Sequence, residues 1–499
     1  MKAFLMYKDR DFNLREELPW NEPELIQDLE LNTLFNAMAL GDKFLFEVDK
    51  KAVLCGLLDI DSILYRQNVL KDCLKNPGIV REIYEIPLES DRNKHKQWLG
   101  ILTRYPAGVL SSSIDMLQMF VGLLKKLKHI ADQHANKFES EGFKIFFAMI
   151  EKELDDEYFA VVERQLKELK FNNGVLISAR LDKGNEGADY ILRKPNGKNR
   201  KVMRGLFARQ APSFSFYIDP RDDAGSRAVA DLKDRGVNLV ANALAQSADH
   251  IDSFLNMLQV ELAFYIGCLN LYERLAQMEN PVSFPAPVPA NQRRHSFHGL
   301  YDVCLALTKN QNVVGNNANA DNKDLMIITG ANQGGKSTFL RSTGLAQLMM
   351  QSGMFVPAED FSANLCEGLF THYKRKEDVS MESGKLDEEL GRMSAIADKI
   401  TPNSMVLFNE SFAATNEREG SEIARQITSA LLEKHIKVVF VTHQYEFAHG
   451  FYARNMENAI FLRAMRKEGG ERTFKLIESK PLQTSYGEDI YRQVFLKKP

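Results

Sequence analysis

The run Gly330-Ala331-Asn332-Gln333-Gly334-Gly335-Lys336-Ser337 limits what this chain can fold into more than any other feature. It follows directly on the apolar stretch Leu325-Met326-Ile327-Ile328, and residues of helical character follow it from Thr338. Strand, glycine-rich turn and helix in that order make a phosphate cradle. The glycines let backbone amides curl around a polyanion, and the helix N-terminus favours negative charge. Lys336 is then expected to reach the β- and γ-phosphates of ATP, and the Ser337 hydroxyl to ligate Mg2+. Gly330, Asn332, Gln333, Gly334, Gly335, Lys336, Ser337 and Thr338 together form the expected nucleotide surface. Two further short apolar runs, Met405 to Phe408 and Val438 to Val441, are separated by helical patterns. Such runs predict the buried parallel sheet of an α/β domain.

The ends of those runs carry chemistry. The first closes in Phe408-Asn409-Glu410, where an acidic pair would help hold magnesium and orient the attacking water. Glu410 fits the general base. Asn409 is neutral and would hold hydrated magnesium, through water, more weakly than a carboxylate. The bland alternative is a buried strand that happens to end in polar residues. The second run closes in Thr442-His443, where a histidine could sense the γ-phosphate. A lone histidine is more often structural, and only its place in the strand order favours the functional reading.

At 499 residues the chain exceeds one hydrophobic core, so two or three domains are expected. The net charge of -3 excludes a globally basic nucleic-acid coat but not a local basic patch. The five cysteines, Cys55, Cys73, Cys268, Cys304 and Cys366, form no CxxC pair and suggest neither zinc nor a disulfide framework. The N-terminus lacks a leader pattern, and no stretch approaches a membrane span, so a cytoplasmic protein without membrane contact is expected. Before the apolar runs the pattern is mostly helical, with Leu25, Leu29, Leu34, Phe35 and Met38 at helical spacing. Lys144 to Leu169 predicts one long amphipathic helix. Gly174 to Arg180 and Ser213 to Ile218 read as strands of a small β-rich insertion, and helix resumes from Ser226 to Met278. Pro281, Pro285, Pro287 and Pro289 mark the 281–292 stretch as a linker. Between Tyr190 and Arg209 lie Arg193, Lys194, Lys198, Arg200, Lys201, Arg204 and Arg209, without one acidic residue. They could neutralise DNA phosphates, or form a solvated hairpin face.

Thr329 to Arg341 closely resembles the MutS family of DNA mismatch-repair ATPases. Gly353-Met354-Phe355-Val356-Pro357-Ala358, Thr442-His443-Gln444-Tyr445-Glu446-Phe447 and Ser485-Tyr486-Gly487 are similar to later motifs of that family. Met38-Ala39-Leu40-Gly41-Asp42 and Tyr65-Arg66-Gln67 resemble its helical core and lever. The resemblance implies a multidomain α plus α/β protein: helical core and ascending lever (1–170), clamp-like insertion (171–222), descending lever (223–285) and ATPase domain (286–499). It implies ATP and Mg2+ as cofactors, with double-stranded or branched DNA and downstream repair proteins as partners. It also implies a homodimer through the ATPase domains in which Ser383 reaches the neighbour's nucleotide in trans. Asn316-Asn317 resembles the element beside the adenine, but Val313-Val314 replaces the usual aromatic just upstream. Residues 1–20 carry no Phe-x-Glu wedge, so mismatch reading by that device is not expected. The weak Asn409 leaves open a nucleotide-binding scaffold with little turnover.

Overall fold

The structure, a computed structural model, describes residues 1–97, 105–172, 174–194, 214–375, 384–467 and 472–483. Lys198, Arg200, Lys201, Arg204, Arg209, Ser383 and Ser485-Tyr486-Gly487 lie outside the described residues. The chain folds into two compact units. One comprises residues 1–3, 78–139 and 143–260; the other comprises 4–77, 140–142 and 261–499.

The helices in chain order begin with α1 (Glu22–Asp28), α2 (Leu31–Ala39), α3 (Lys43–Leu54), α4 (Ile60–Lys75) and α5 (Pro77–Gln97). Next come α6 (Pro106–His134), α7 (Glu141–Glu153), α8 (Asp156–Leu169) and the 55-residue α9 (Asp223–Gln277). The remainder are α10 (Val303–Lys309), α11 (Lys336–Gln351), α12 (Lys385–Lys399), α13 (Glu417–Glu433) and α14 (Tyr445–Ala453). Side-chain caps define several starts. Asp42 accepts from the Phe44 and Leu45 amides, Asp59 from Ser62, and Asp302 from Leu305.

In the first unit, α6 starts with proline at its first turn and buries Leu110, Ile114, Leu117, Val121 and Leu124 along one stripe. The single helix expected over 144–169 is two. Asp155 adopts an extended conformation and accepts from the Tyr158 amide at 2.6 Å, so its carboxylate begins a new helix. The unit's hairpin pairs β1 (Leu176–Leu181) with β2 (Gly187–Arg193), Leu176 opposite Arg193. Of the second strand expected at 213–218, the described residues 214–218 are irregular, with Phe214, Phe216 and Tyr217 exposed. The short 182–186 connection brings β2 to β1 at lower loop-closure entropy than a return from residue 213.

The second unit holds two sheets. The larger has the order β12-β11-β6-β10-β9-β8, from β6 (Leu325–Thr329), β8 (Leu369–Tyr373), β9 (Met405–Asn409), β10 (Lys437–Val441), β11 (Ala459–Arg466) and β12 (Arg472–Glu478). All adjacent pairs are parallel except the edge pair β11–β12. The three apolar runs read from sequence are β6, β9 and β10, with Ile327, Phe408 and Phe440 buried in one core with Phe412, Phe447 and Phe451. The smaller sheet has the order β3-β7-β4-β5, from β3 (Ala286–Val288), β4 (His295–Leu300), β5 (Asn316–Asn319) and β7 (Asp360–Asn364). The expected linker is therefore part of a sheet. Pro287 is tolerated because β3 is an edge strand, where a missing N–H breaks no ladder.

Two helices, 106–137 and Asp223–Gln277, are long and apolar enough to cross a membrane, so the expectation that no stretch approaches one was too strong. In the second, 78% of the apolar window is buried inside the protein, as in a core helix.

The segment 4–12 is fastened deep in the second unit. Glu261, on α9 and fully buried, accepts from the amides of Leu5 (2.6 Å), Met6 (3.4 Å) and Phe12 (3.2 Å). Arg66 donates to the Met6 carbonyl at 3.0 Å and to the Ser352 carbonyl at 3.3 Å, with its guanidinium over the Tyr7 ring. Burial pushes the Glu261 carboxyl up to about 7, against the smaller opposing pull of the three amides. The folded value lies above the unfolded one. Its stabilising contribution is therefore complete below the ordinary carboxylate range and is lost as pH rises through about 7. The wild type should accordingly lose urea resistance relative to Glu261→Gln between about pH 5 and pH 8. A gap between the two that stays constant across this range would refute the assignment.

Candidate nucleotide-binding site

The glycine-rich turn joins the end of β6 to the start of α11. Gly330 has φ +117° and Gly335 has φ +90°, the region that only glycine enters at little cost. A Cβ on Gly330 would also lie 2.9 Å from the Ala464 nitrogen, so the backbone packs too closely against β11 for any side chain. Gly335 is the N-cap of the sixteen-residue α11, which places the positive end of that helix at the turn. Lys336 curls back over the turn, donating to the carbonyls of Gly330 (3.1 Å) and Ala331 (3.0 Å). Burial pulls its ammonium down to about 8, a shift that the Glu410 charge partly opposes.

Sheet register brings the other expected residues to the same edge. Ile328 lies opposite Val441, and Val441 opposite Asn409, so β6, β10 and β9 end level with one another. The Ser337 hydroxyl donates to Asn409 Oδ1 at 2.9 Å. His443 Nε2 lies 2.9 Å from Glu410 Oε1, and this hydrogen bond is the main reason the Glu410 carboxyl is held below its ordinary value. Glu410 has φ +54°, and its amide donates to the Val441 carbonyl at 2.9 Å. The side chain therefore turns off the strand axis at the level of the cradle.

Lys336, Ser337, Asn409, Glu410 and His443 thus share one strand-end site. Among the described residues no cluster of three or more His, Cys, Asp and Glu could hold a metal ion directly. The donor set at Ser337, Asn409 and Glu410 instead suits a hydrated divalent ion that brings most of its own oxygen ligands with its phosphates.

Beside the turn lies a pocket of about 420 Å³ that reaches from Lys336 and Glu410 to Tyr301, Val313, Val314 and Asn316. Asn332, Gln333, Gly334, Ser337 and Thr338 also face it. Asn316 is committed to the fold, donating to the Phe474 carbonyl at 3.2 Å and accepting from the Leu476 amide at 2.7 Å. Phe474 was not singled out from sequence. It lines the pocket from β12, is 48% exposed, and supplies the aromatic face that Val313 and Val314 lack. No local signal marks it, since only the antiparallel return of β12 carries it over Gly335. Of the basic residues expected to meet DNA, the described pair lies in the other unit. Arg193 donates to Ser178 Oγ at 2.9 Å, and Lys194 pairs with Glu168 at 3.3 Å.

Residues 58–278 match a family model described as the MutS2 N-terminal domain, and residues 326–498 match one described as MutS domain V. The DNA mismatch repair protein MutS of Thermus aquaticus is 32% identical over 175 residues, 35% of this chain and 21% of that protein. The protein of the same name from Thermotoga maritima is 35% identical over 162 residues, 32% of this chain and 20% of its own length. That from Listeria innocua is 26% identical over 276 residues, 54% of this chain and 32% of its own length. The chain thus spans a third or less of the curated relatives it matches. Two models of one family cover most of its length, one over the helical region and one over the strand-end site, and the chain belongs to the MutS family.

Proposed function

We propose that this protein is a DNA-binding ATPase of the mismatch-repair type, in which ATP held at the 330–337 turn works a clamp on DNA in repair or recombination. The convergence of Lys336, Ser337, Asn409, Glu410 and His443 on one strand-end edge carries this reading. Lys336 would leave the turn carbonyls for the β- and γ-phosphates, and the turn amides with the α11 N-terminus would hold the rest of the triphosphate. Mg2+ supplies charge neutralisation at the phosphates, and Ser337 and Asn409 (the latter through water) are the residues that would hold it. Glu410, kept ionised by His443, would take the proton of the water that attacks the γ-phosphorus. His443 would keep that carboxylate aimed at the γ-phosphate. The adenine would lie against Phe474 in the pocket.

In this reading residues 1–170 and 223–285 act as helical core and levers, 171–222 as clamp and 286–499 as the ATPase domain. Two copies would meet through their ATPase domains, each giving Ser383 to its neighbour's nucleotide, in the cytoplasm and away from membranes. The DNA would be double-stranded or branched and recognised by shape, and downstream repair proteins would follow. A second reading, an ATP-loaded scaffold with little turnover, rests on one observation. The group facing Ser337 is the neutral Asn409 amide rather than a carboxylate.

The experiment is DNA-binding anisotropy on homoduplex, mismatched, forked and four-way-junction DNA, with and without ATP and Mg2+. Reversing Lys198, Arg200 and Lys201 to Glu should weaken duplex binding more than about tenfold and flatten the slope of log K against log salt by about 3. Unchanged affinity and slope would remove the clamp from the proposal.

A further inference from the structure

Glu410 and Phe412 both have positive φ, 54° and 60°, a conformation that costs free energy in any residue with a Cβ. Two such residues around Ser411 make a turn that the strand alone would not hold, so the surroundings must impose it. Two of the contacts that impose it come from one side chain. His372, on β8 and fully buried, has Nδ1 2.8 Å from Ser411 Oγ and Nε2 2.9 Å from the Glu389 carbonyl of α12. Its ring stacks on Phe412 with centroids 5.1 Å apart and planes at 20°. Burial pulls the imidazole down to about 4, so the ring is neutral and carries one proton. A carbonyl can only accept, so that proton is on Nε2, and Nδ1 is left as an acceptor facing the Ser411 hydroxyl. The same hydroxyl donates to the His372 backbone carbonyl, so its one proton is shared between that oxygen and Nδ1. The far side of the turn is closed by Gln444, which donates to the Phe412 carbonyl at 3.0 Å, and by Gly420, where a Cβ would lie 2.3 Å from that oxygen.

We infer that His372 is a positioning residue for hydrolysis. Through Ser411 and Phe412 it fixes the left-handed turn that aims the Glu410 carboxylate from the end of β9 toward the phosphate cradle. The inference rests on the ATPase reading proposed above and adds a residue that touches neither nucleotide nor metal. None of its contacts reaches the 330–337 turn, so its loss should leave nucleotide binding alone and slow the chemical step.

The test is steady-state hydrolysis by the full chain, comparing wild type with His372→Phe, Ser411→Ala and the double variant. Phenylalanine keeps the stack on Phe412 and removes both hydrogen bonds. The milder Ser411→Ala serves if His372→Phe fails to fold. Each single variant should lower kcat about tenfold or more, with KM for ATP and the Kd of a non-hydrolysable analogue within about twofold of wild type. The double variant should lose clearly less than the product of the two single losses, because the Ser411–imidazole contact is common to both changes. A lower Tm with unchanged kcat, a raised KM at unchanged kcat, or additive losses in the double variant would overturn the positioning role while leaving the ATPase reading intact. Wild-type turnover no faster than that of Glu410→Ala would overturn both.

Discussion

Lys336→Ala should weaken ATP binding severely, raising Kd by about 30- to 150-fold. A partly buried ammonium bonded to phosphate is worth about 2–3 kcal/mol, and the alanine leaves nothing in its place. The structure adds a pH signature. Free of ligand, Lys336 is pulled down to about 8, because burial disfavours its charge. A polyphosphate stabilises the charged form, so above that pH binding must first restore the proton. The wild-type Kd should therefore worsen as pH rises from about 8 to about 9.5, by up to tenfold per unit, and binding there should take up protons. Calorimetry in two buffers of different ionisation enthalpy reads both effects. Loss of this dependence in Lys336→Ala assigns it to that ammonium, whereas a flat wild-type profile would contradict the depressed value.

Turnover is the second large effect. Glu410→Ala should lower kcat by about 10²- to 10³-fold with ATP affinity little changed, since the carboxylate meets the attacking water rather than the cradle. Asn409→Asp acts in the opposite direction. It places a charged oxygen 2.9 Å from the Ser337 hydroxyl, where the amide oxygen now lies, and should reduce the Mg2+ needed for half-maximal rate about tenfold. Measuring wild type, Asn409→Asp and Glu410→Ala across a Mg2+ titration separates the two proposed functions. A wild type as slow as Glu410→Ala, sped up by Asn409→Asp, establishes the scaffold reading. A wild type well above Glu410→Ala excludes it.

The parts of the site that are local in sequence were legible there. The cradle is a contiguous strand, turn and helix, and the tips at Asn409-Glu410 and Thr442-His443 each end a short, uniformly apolar run of the kind that forms a buried parallel strand. What sequence does not carry is which strands are neighbours. The order β6-β10-β9 puts His443 on Glu410, and neither spacing nor composition determines it. Phe474, His372 and Gln444 escape for the same reason: each matters through a partner far away in the chain. The errors over secondary structure have local physical causes. A run without Pro or Gly looked like one helix, but Asp155 offered an N-cap inside it. Prolines looked like a linker, but an edge strand needs no N–H on its outer side.

The anchoring of residues 4–12 bears on the order in which the protein can assemble. Leu5 pairs with Glu261, 256 positions later, and residues 78–260 belong almost wholly to the other unit. During synthesis the first segment of the larger unit must wait while that intervening stretch is made, roughly ten to forty seconds at ordinary elongation rates. The Arg66 guanidinium and the apolar side chains of α1 to α4 spend that interval without the core that later covers them. The smaller unit, nearly continuous in sequence, has all its residues earlier. Vectorial folding therefore runs from the middle of the chain outward, and the emerging N-terminal helices are where a chaperone would find its client.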